Sequence, residues 1–197
     1  MKLPTLSANI ASIGNRASIA WMRISKTFNP QRRKIQERKN KVANSADTKD
    51  REIIMSRLID APRDLVWEAM TKPEHVVHWW GPNGFTNTLE KLDFRVGGEW
   101  HHVMHGPDGR DYPSRSVYTA IEKPHRIEFC TGGTYKGDPK AMFEAIWTFE
   151  AVAAQTKVTI HLLFPNAQAR NMVVEKIGAI EGGNQTLARL ANYVIKI

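Results

Sequence analysis

Apolar and polar residues alternate through much of the chain after residue 50, and this alternation predicts a domain rich in short β-strands. The first strand is predicted over residues 51–59, where β-branched residues are frequent. Six further segments with the same period of two follow in quick succession: 85–94, 99–105, 115–122, 126–130, 142–152 and 157–163. Turn residues such as Pro107-Asp108-Gly109 separate them, so antiparallel hairpins are expected.

Two short helices are predicted between the first strand and the second. Pro62 suits the first turn of a helix, because its missing N–H would have no partner there, and the apolar face of this helix runs to Met70. Pro73 opens the second helix in the same way, and Gly81-Pro82 ends it. Both helices are therefore expected to be only two or three turns long.

The last element is predicted to be one long helix. Asn166 is a candidate N-cap, and apolar residues recur every three or four positions from there to about Tyr193. Gly182-Gly183 lie in the middle of this pattern, where glycine lowers helix stability. They indicate either a bend that follows a curved sheet or a place where a bound molecule needs room.

The order of these elements is one strand, two short helices, six antiparallel strands and one long helix. A curved sheet of this order has one concave face, and the long helix is the element able to cover it. The predicted fold class is α+β: a helix-grip fold, in which a curved antiparallel sheet wraps around the C-terminal helix and two short helices follow the first strand. A cavity is expected between helix and sheet.

The first 48 residues have a different pattern. Their apolar residues recur on one helical face: Leu6, Ile10, Ile13, Ala17, Trp21, Ile24 and Phe28. No acidic residue precedes Glu37, and residues 31–41 form a charged, solvated linker. Three interpretations stay open: an organelle transit peptide, a helix on an anionic membrane surface, or a functionless extension from a wrongly chosen start codon.

The predicted domains are therefore a poorly ordered basic tail over residues 1–48 and one folded domain over residues 49–197. The net charge of +8 comes entirely from the tail, which holds ten basic and two acidic residues. Because the domain itself is neutral, no nucleic-acid partner is expected for it. The single cysteine, Cys130, excludes an internal disulfide and fits a reducing compartment. A cytoplasmic location is expected, or a mitochondrial one if the tail is a transit peptide.

Several segments of the domain resemble a known family. The segments are 51–59, Asp60-Ala61-Pro62, Trp79-Trp80-Gly81-Pro82, Gly97-Gly98-Glu99-Trp100 and 104–109. They are similar to bacterial proteins of the activator of heat-shock-protein-90 ATPase homologue-like family. The resemblance implies membership of the superfamily of START-related lipid-transfer domains, birch-pollen-allergen-like proteins and polyketide cyclases, which share the helix grip. It also implies that the domain corresponds to the C-terminal module of the eukaryotic co-chaperones, without their additional N-terminal domain. A chaperone partner is therefore a secondary hypothesis.

The sequence contains few candidate catalytic or metal-binding residues. His101 and His105 share one strand face but lie about 13 Å apart, at about 3.3 Å per residue, and cannot bind one ion. No nucleophile elbow, phosphate-binding loop or zinc-protease motif is present in the sequence. No metal and no cofactor are therefore expected. Glu128 and Glu144 are predicted to point away from the cavity, so catalytic residues are not assigned.

The favoured hypothesis is a non-enzymatic module that binds an apolar small molecule in the cavity. The predicted lining is Trp80, Trp100, His102, Met104, Tyr118, Phe129, Trp147, Ile160 and Leu162, with Val173, Ile177 and Leu187 from the helix. His102 is interpreted either as a core histidine bonded to Tyr118 or His161, or as an anchor for a ligand's carbonyl or hydroxyl group. The alternatives are a cyclase- or dehydrase-like enzyme that uses His102, and a co-chaperone-like interaction module.

Overall fold

A seven-stranded antiparallel sheet is the largest element of the computed structural model, which describes residues 48–133 and 142–197. Its strands, β1 to β7 in chain order, are Glu52–Ile59, Thr86–Leu92, Glu99–His105, Asp111–Glu122, Arg126–Thr131, Phe143–Val152 and Gln155–Leu163. They lie in the order β1-β7-β6-β5-β4-β3-β2, and each neighbouring pair is antiparallel. The predicted α+β helix-grip fold is confirmed.

The predictions for the basic tail lie outside the described residues, which begin at Thr48. All described residues fall within one structural unit, Thr48–Ile197. None of the helices in this part of the chain combines the length and the apolar character needed to span a bilayer.

Strand β4 begins at Asp111 rather than at residue 115, so the predicted strand was too short at its start. Pro113 lies inside it, opposite Val103 of β3. Proline has no N–H to donate to a neighbouring strand. The pairing of β4 with β5 starts only at Ser116. Before that point β4 has β3 as its one described neighbour, so a proline is tolerated as in an edge strand.

The two short helices follow β1 as predicted. Helix α1 spans Arg63–Thr71, and helix α2 spans Pro73–Trp79 with proline at its first position. Trp79 at the end of α2 is buried and donates a hydrogen bond from Nε1 to the carbonyl of Ala69, at 2.9 Å. This bond fixes α2 against α1, so the residues that follow Trp79 are directed toward the concave face of the sheet.

The C-terminal helix is not continuous, so the prediction of one helix from Asn166 to about Tyr193 was wrong in that respect. Helix α3 spans Ala167–Met172, a π-helical segment spans Val173–Ile177, and helix α4 spans Ala179–Val194. Gly178 separates the last two with φ +69°, a left-handed conformation that glycine adopts without strain. The apolar spacing continues across the break, so the pattern alone does not show it.

Other details of this region match the sequence analysis. The Asn166 side chain accepts a hydrogen bond from the backbone N–H of Ala169 at 2.9 Å, which confirms the predicted N-cap. Helix α4 continues through Gly182 and Gly183, so the bend proposed for these glycines lies at Gly178 instead.

Helix α4 has two halves with different surroundings. Its C-terminal half is fully buried at Leu187, Leu190 and Val194 and belongs to the main hydrophobic core, together with residues of α1, α2 and the sheet. Its N-terminal half, around Ala179 and Gly183, faces the concave side of the sheet where a hollow remains. The solid core therefore holds one half of α4 while the other half forms a wall of the hollow.

Replacing Leu190 by Ala is expected to lower the free energy of unfolding by about 2–5 kcal/mol, because the side chain is fully buried and leaves a cavity. Asn184 is exposed on the same helix, so Asn184→Ala is the matched control and should change stability by less than about 0.5 kcal/mol. Urea unfolding followed by circular dichroism measures both. Equal effects of the two substitutions would contradict the assignment of this helix face to the core.

Candidate functional site

The concave face of the sheet and the N-terminal half of α4 enclose a hollow of about 170 Å³, which we call the inner chamber. Seven of the predicted residues line it: Trp80, His102, Met104, Phe129, Trp147, Ile160 and Leu162. Ala179, Gly183 and Thr186 of α4 form the opposite wall. No charged side chain is among the described residues that line the inner chamber, so its surface is apolar with a few neutral polar groups.

A second hollow of about 590 Å³, which we call the outer groove, adjoins the inner chamber and shares Trp80, Met104 and Leu162 with it. Val173 and Ile177, predicted as helix residues of the site, line this groove. Its rim carries three exposed apolar side chains, Tyr112, Met142 and Ile177. The two hollows together form a path from the buried chamber to the surface.

Three predicted residues lie outside both of these hollows. Trp100 is buried behind His102, and its ring stacks on the imidazole with ring centres 4.6 Å apart. Tyr118 is buried against Phe94, and its burial raises the pKa of the phenol above the usual value. Leu187 lies in the main core. All three share a face with lining residues, but they sit farther along their strand or helix.

His102 is a buried polar side chain of the inner chamber, with 4% of its surface exposed. The alternation of β3 predicts this inward orientation, which it shares with Trp100. Its Nδ1 atom is buried without a hydrogen-bond partner among the described residues. His161, one of the two partners considered from the sequence, instead contacts Glu52 at 2.8 Å. Desolvation lowers the pKa of His102 to about 4, so the imidazole is neutral at physiological pH.

Hydroxyl groups complete the polar part of the inner chamber, and sequence reasoning missed them. Ser116 and Thr131 form a buried hydrogen bond of 2.9 Å between their side-chain oxygens. Ser114 lies two residues earlier on β4, and Thr186 donates from its hydroxyl to the carbonyl of Gly182 at 2.8 Å. The period of two along β4 puts Ser114 and Ser116 on one face with Tyr118, and this signal was available in the sequence.

Trp80 is held in place by contacts that the sequence did not reveal. The guanidinium group of Arg189 on α4 donates hydrogen bonds to the carbonyl oxygens of Trp80, Gly81 and Pro82, at 3.2, 3.0 and 2.6 Å. Asn87 on β2 donates from Nδ2 to the same Trp80 carbonyl at 2.8 Å. Partial burial lowers the pKa of Arg189 from its ordinary value. Arg189 therefore fixes the segment after α2 onto the helix that walls the chamber.

Gly183 of α4 and the side chain of Met55 lie close together. A Cβ atom at position 183 would lie 2.5 Å from the Met55 Sδ and Cε atoms, which is shorter than real contacts allow. Met55 itself lines the inner chamber. A side chain at position 183 would therefore have to displace Met55, so the space that glycine leaves here is taken up by the Met55 side chain.

The residues that line the inner chamber give little support to an acid–base mechanism. No Asp or Glu side chain lines the inner chamber in the described part of the chain. Glu128, considered as a partner of His102, is buried elsewhere and pairs with Arg126. Within residues 48–133 and 142–197, no three His, Cys, Asp or Glu side chains lie close enough to hold one metal ion. The site can bind and orient a molecule, but its imidazole has no carboxylate beside it.

A sequence profile of the family described as activator of Hsp90 ATPase homolog 1-like protein matches residues 60–194. The chain belongs to this family. The family lies in the START-related, birch-pollen-allergen-like and polyketide cyclase superfamily, whose fold is typical of ligand-binding modules. The resemblance inferred from the sequence segments is thereby confirmed. No curated protein sequence matches the chain.

Solved structures of similar fold come from several bacteria. A protein from Nitrosomonas europaea is 21% identical with a TM-score of 0.68, over 75% of this chain and 96% of that one. A protein from Arthrobacter aurescens is 24% identical with a TM-score of 0.67, over 76% and 89%. The AHSA1-like protein from Aeromonas hydrophila is 20% identical with a TM-score of 0.58, over 74% and 92%. At these identities the similarity establishes the fold.

The lowered pKa of His102 predicts a specific dependence of stability on pH. Between pH 6.5 and about 4 the unfolded chain binds a proton that the folded protein does not, so stability should fall as the pH decreases through this window. The loss should amount to about 3 kcal/mol at most, and His102→Leu should abolish it. Urea unfolding of both proteins at pH 7 and pH 4 measures the difference. An identical pH dependence in both would show that His102 titrates normally.

Proposed function

We propose that this family member is a non-enzymatic binding module that holds an uncharged, largely apolar small molecule between the sheet and helix α4. The observation that carries the proposal is the inner chamber, whose described lining holds no charged side chain and yet includes a buried imidazole. Apolar surface removed from water contributes about 25 cal/mol per Å², and a few placed polar groups fix the orientation of the ligand.

The volumes indicate the shape of the ligand. Small-molecule sites usually measure about 300–1,000 Å³, and a dry cavity of about 150 Å³ accommodates a benzene ring. The inner chamber of about 170 Å³ therefore suits one ring-sized group. The rest of the molecule would extend into the outer groove, whose exposed apolar rim at Met142 and Ile177 would contact it.

The charges at the outer groove also favour an uncharged ligand. Asp111 and Arg115 are the charged residues among the described groove lining. Asp111 contacts His105 at 2.6 Å, and Arg115 pairs with Glu99. Both charges are thus engaged by protein partners, and among the described lining residues an ionised ligand would have no unengaged counter-ion. Desolvating such a ligand would cost more than its apolar contacts contribute.

The two other hypotheses have less support. A cyclase- or dehydrase-like enzyme would need His102 to exchange protons near neutral pH, whereas its pKa is lowered to about 4 and no carboxylate is among the described residues that line the chamber. Activation of the Hsp90 ATPase is what the family description names. No contact or surface of the described residues favours that activity over ligand binding.

Filling the passage between the two hollows tests the proposal. Ala179 lines both hollows and is partly buried, so Ala179→Trp should place an indole in the passage. We expect the full-length variant to bind the uncharged fluorescent probe N-phenyl-1-naphthylamine at least about tenfold more weakly than the unmodified chain, because the probe's apolar contacts are lost. Fluorescence titration measures the dissociation constants.

The matched control is Asn184→Trp, which adds the same side chain at an exposed position of α4. It should leave probe binding unchanged. The proposal fails if the unmodified chain does not bind the probe, or if the two tryptophan variants bind it equally well.

A further inference from the structure

A third and much smaller cavity lies behind the inner chamber. Its volume is about 10 Å³, and its polar residues are Asn87, Trp100 and His102. The other residues that line it are apolar and come mainly from α2. The His102 ring lines both this cavity and the inner chamber, so the imidazole forms part of the wall between them.

Each of the three polar residues contributes a buried atom without a partner among the described residues: Asn87 Oδ1, Trp100 Nε1 and His102 Nδ1. Six such side-chain atoms occur in the described part of the chain, and half of them belong to residues of this one small cavity. Trp100 and His102 are 1% and 4% exposed. A buried polar atom without a partner costs about 1–3 kcal/mol, so three at one place call for a common partner.

The orientation of Asn87 is fixed by its other contacts. Its Nδ2 atom donates to the carbonyl oxygens of Trp80 and Val77, at 2.8 and 3.4 Å. The amide oxygen therefore points away from these carbonyls and can only accept. The indole N–H of Trp100 can only donate. Of the three atoms, His102 Nδ1 alone can do either, depending on where the imidazole carries its proton.

The size of the cavity selects the partner. About 10–15 Å³ is the space that one water molecule requires, and buried waters typically make two to four hydrogen bonds. We propose that one water molecule occupies this cavity, accepts from Trp100 Nε1, and donates to Asn87 Oδ1 and His102 Nδ1. This arrangement satisfies all three atoms and uses both protons of the water.

The two protons of the water and the acceptors available to them determine the tautomer of His102. If Nδ1 carried the proton, the water would accept from both Trp100 and His102, and its second proton would have no acceptor after Asn87. With Nδ1 as an acceptor, the neutral imidazole carries its proton on Nε2. The Nε2–H group of His102 is then a hydrogen-bond donor on the side of the ring that faces the inner chamber.

The donor at His102 also narrows the class of ligand, and this part of the inference rests on the proposed function. A donor at His102 selects a molecule with an acceptor, such as a ketone, aldehyde, ester or amide carbonyl, at its buried end. A molecule of the same shape without an acceptor would leave the Nε2–H group buried and unpaired, which lowers affinity.

The water and the tautomer are tested without any ligand. Long-range ¹H–¹⁵N correlation NMR of the full chain at pH 7, with the His102 signals assigned by their loss in His102→Leu, should show the Nε2–H pattern. A dominant Nδ1–H pattern in the unmodified chain, or a high-resolution crystal structure with an empty cavity, overturns the inference.

The ligand selectivity is tested with two probes of equal shape, acetophenone and α-methylstyrene, which differ in a C=O against a C=CH₂ group. The ratio of their affinities should be about tenfold more favourable to acetophenone in the unmodified chain than in His102→Leu, and the comparison of ratios cancels the hydration of the probes. Equal ratios in both proteins refute the acceptor selectivity and leave the binding module intact. Failure of both probes to bind the unmodified chain refutes the proposed function instead, whatever the tautomer.

Discussion

The hydrogen bonds between Arg189 and the segment after α2 are the contacts on which the shape of the site depends. A helix end leaves its last carbonyl oxygens without partners, and α2 ends where the chain must turn toward the sheet. One guanidinium group on α4 donates to one of these helix carbonyls, that of His78, and to the three successive carbonyls after the helix, from Trp80 to Pro82. Because Trp80 lines both the inner chamber and the outer groove, the same contact also positions a side chain that borders both hollows.

A hydrophobic core of this size could be completed without any polar group facing the concave side of the sheet. The structure instead places a histidine and several hydroxyl groups there, and burial of such groups costs free energy unless each finds a partner. Ser116 and Thr131 satisfy each other, and Thr186 bonds within its own helix. His102 Nδ1 has no partner of this kind among the described side chains. Local conflicts with good packing are expected at functional sites.

The sequence predicted the fold well because its signals are local. The period of two gave the strands, prolines marked the starts of α1 and α2, and Asn166 marked the start of the C-terminal helical region. The inward orientation of His102 followed from the alternation along β3. What could not be predicted depends on curvature: Trp100 and Tyr118 share faces with lining residues, but only the bent sheet decides which positions border a hollow. Arg189 and Asn87 were missed because their roles are contacts between distant segments.

The break at Gly178 separates the π-helical segment from α4, and residues of both line the outer groove. A continuous helix would keep the axis of α4, whereas a residue in the left-handed conformation ends one helix and redirects the chain. No described atom lies within 4 Å of where a Cβ of residue 178 would be, so glycine is required here for its φ of +69° and not for space. At Gly183 the reverse holds, since the conformation is helical and the space is occupied by Met55. One glycine therefore redirects the chain between the π-helical segment and α4, while the other lets Met55, which lines the inner chamber, pack against α4.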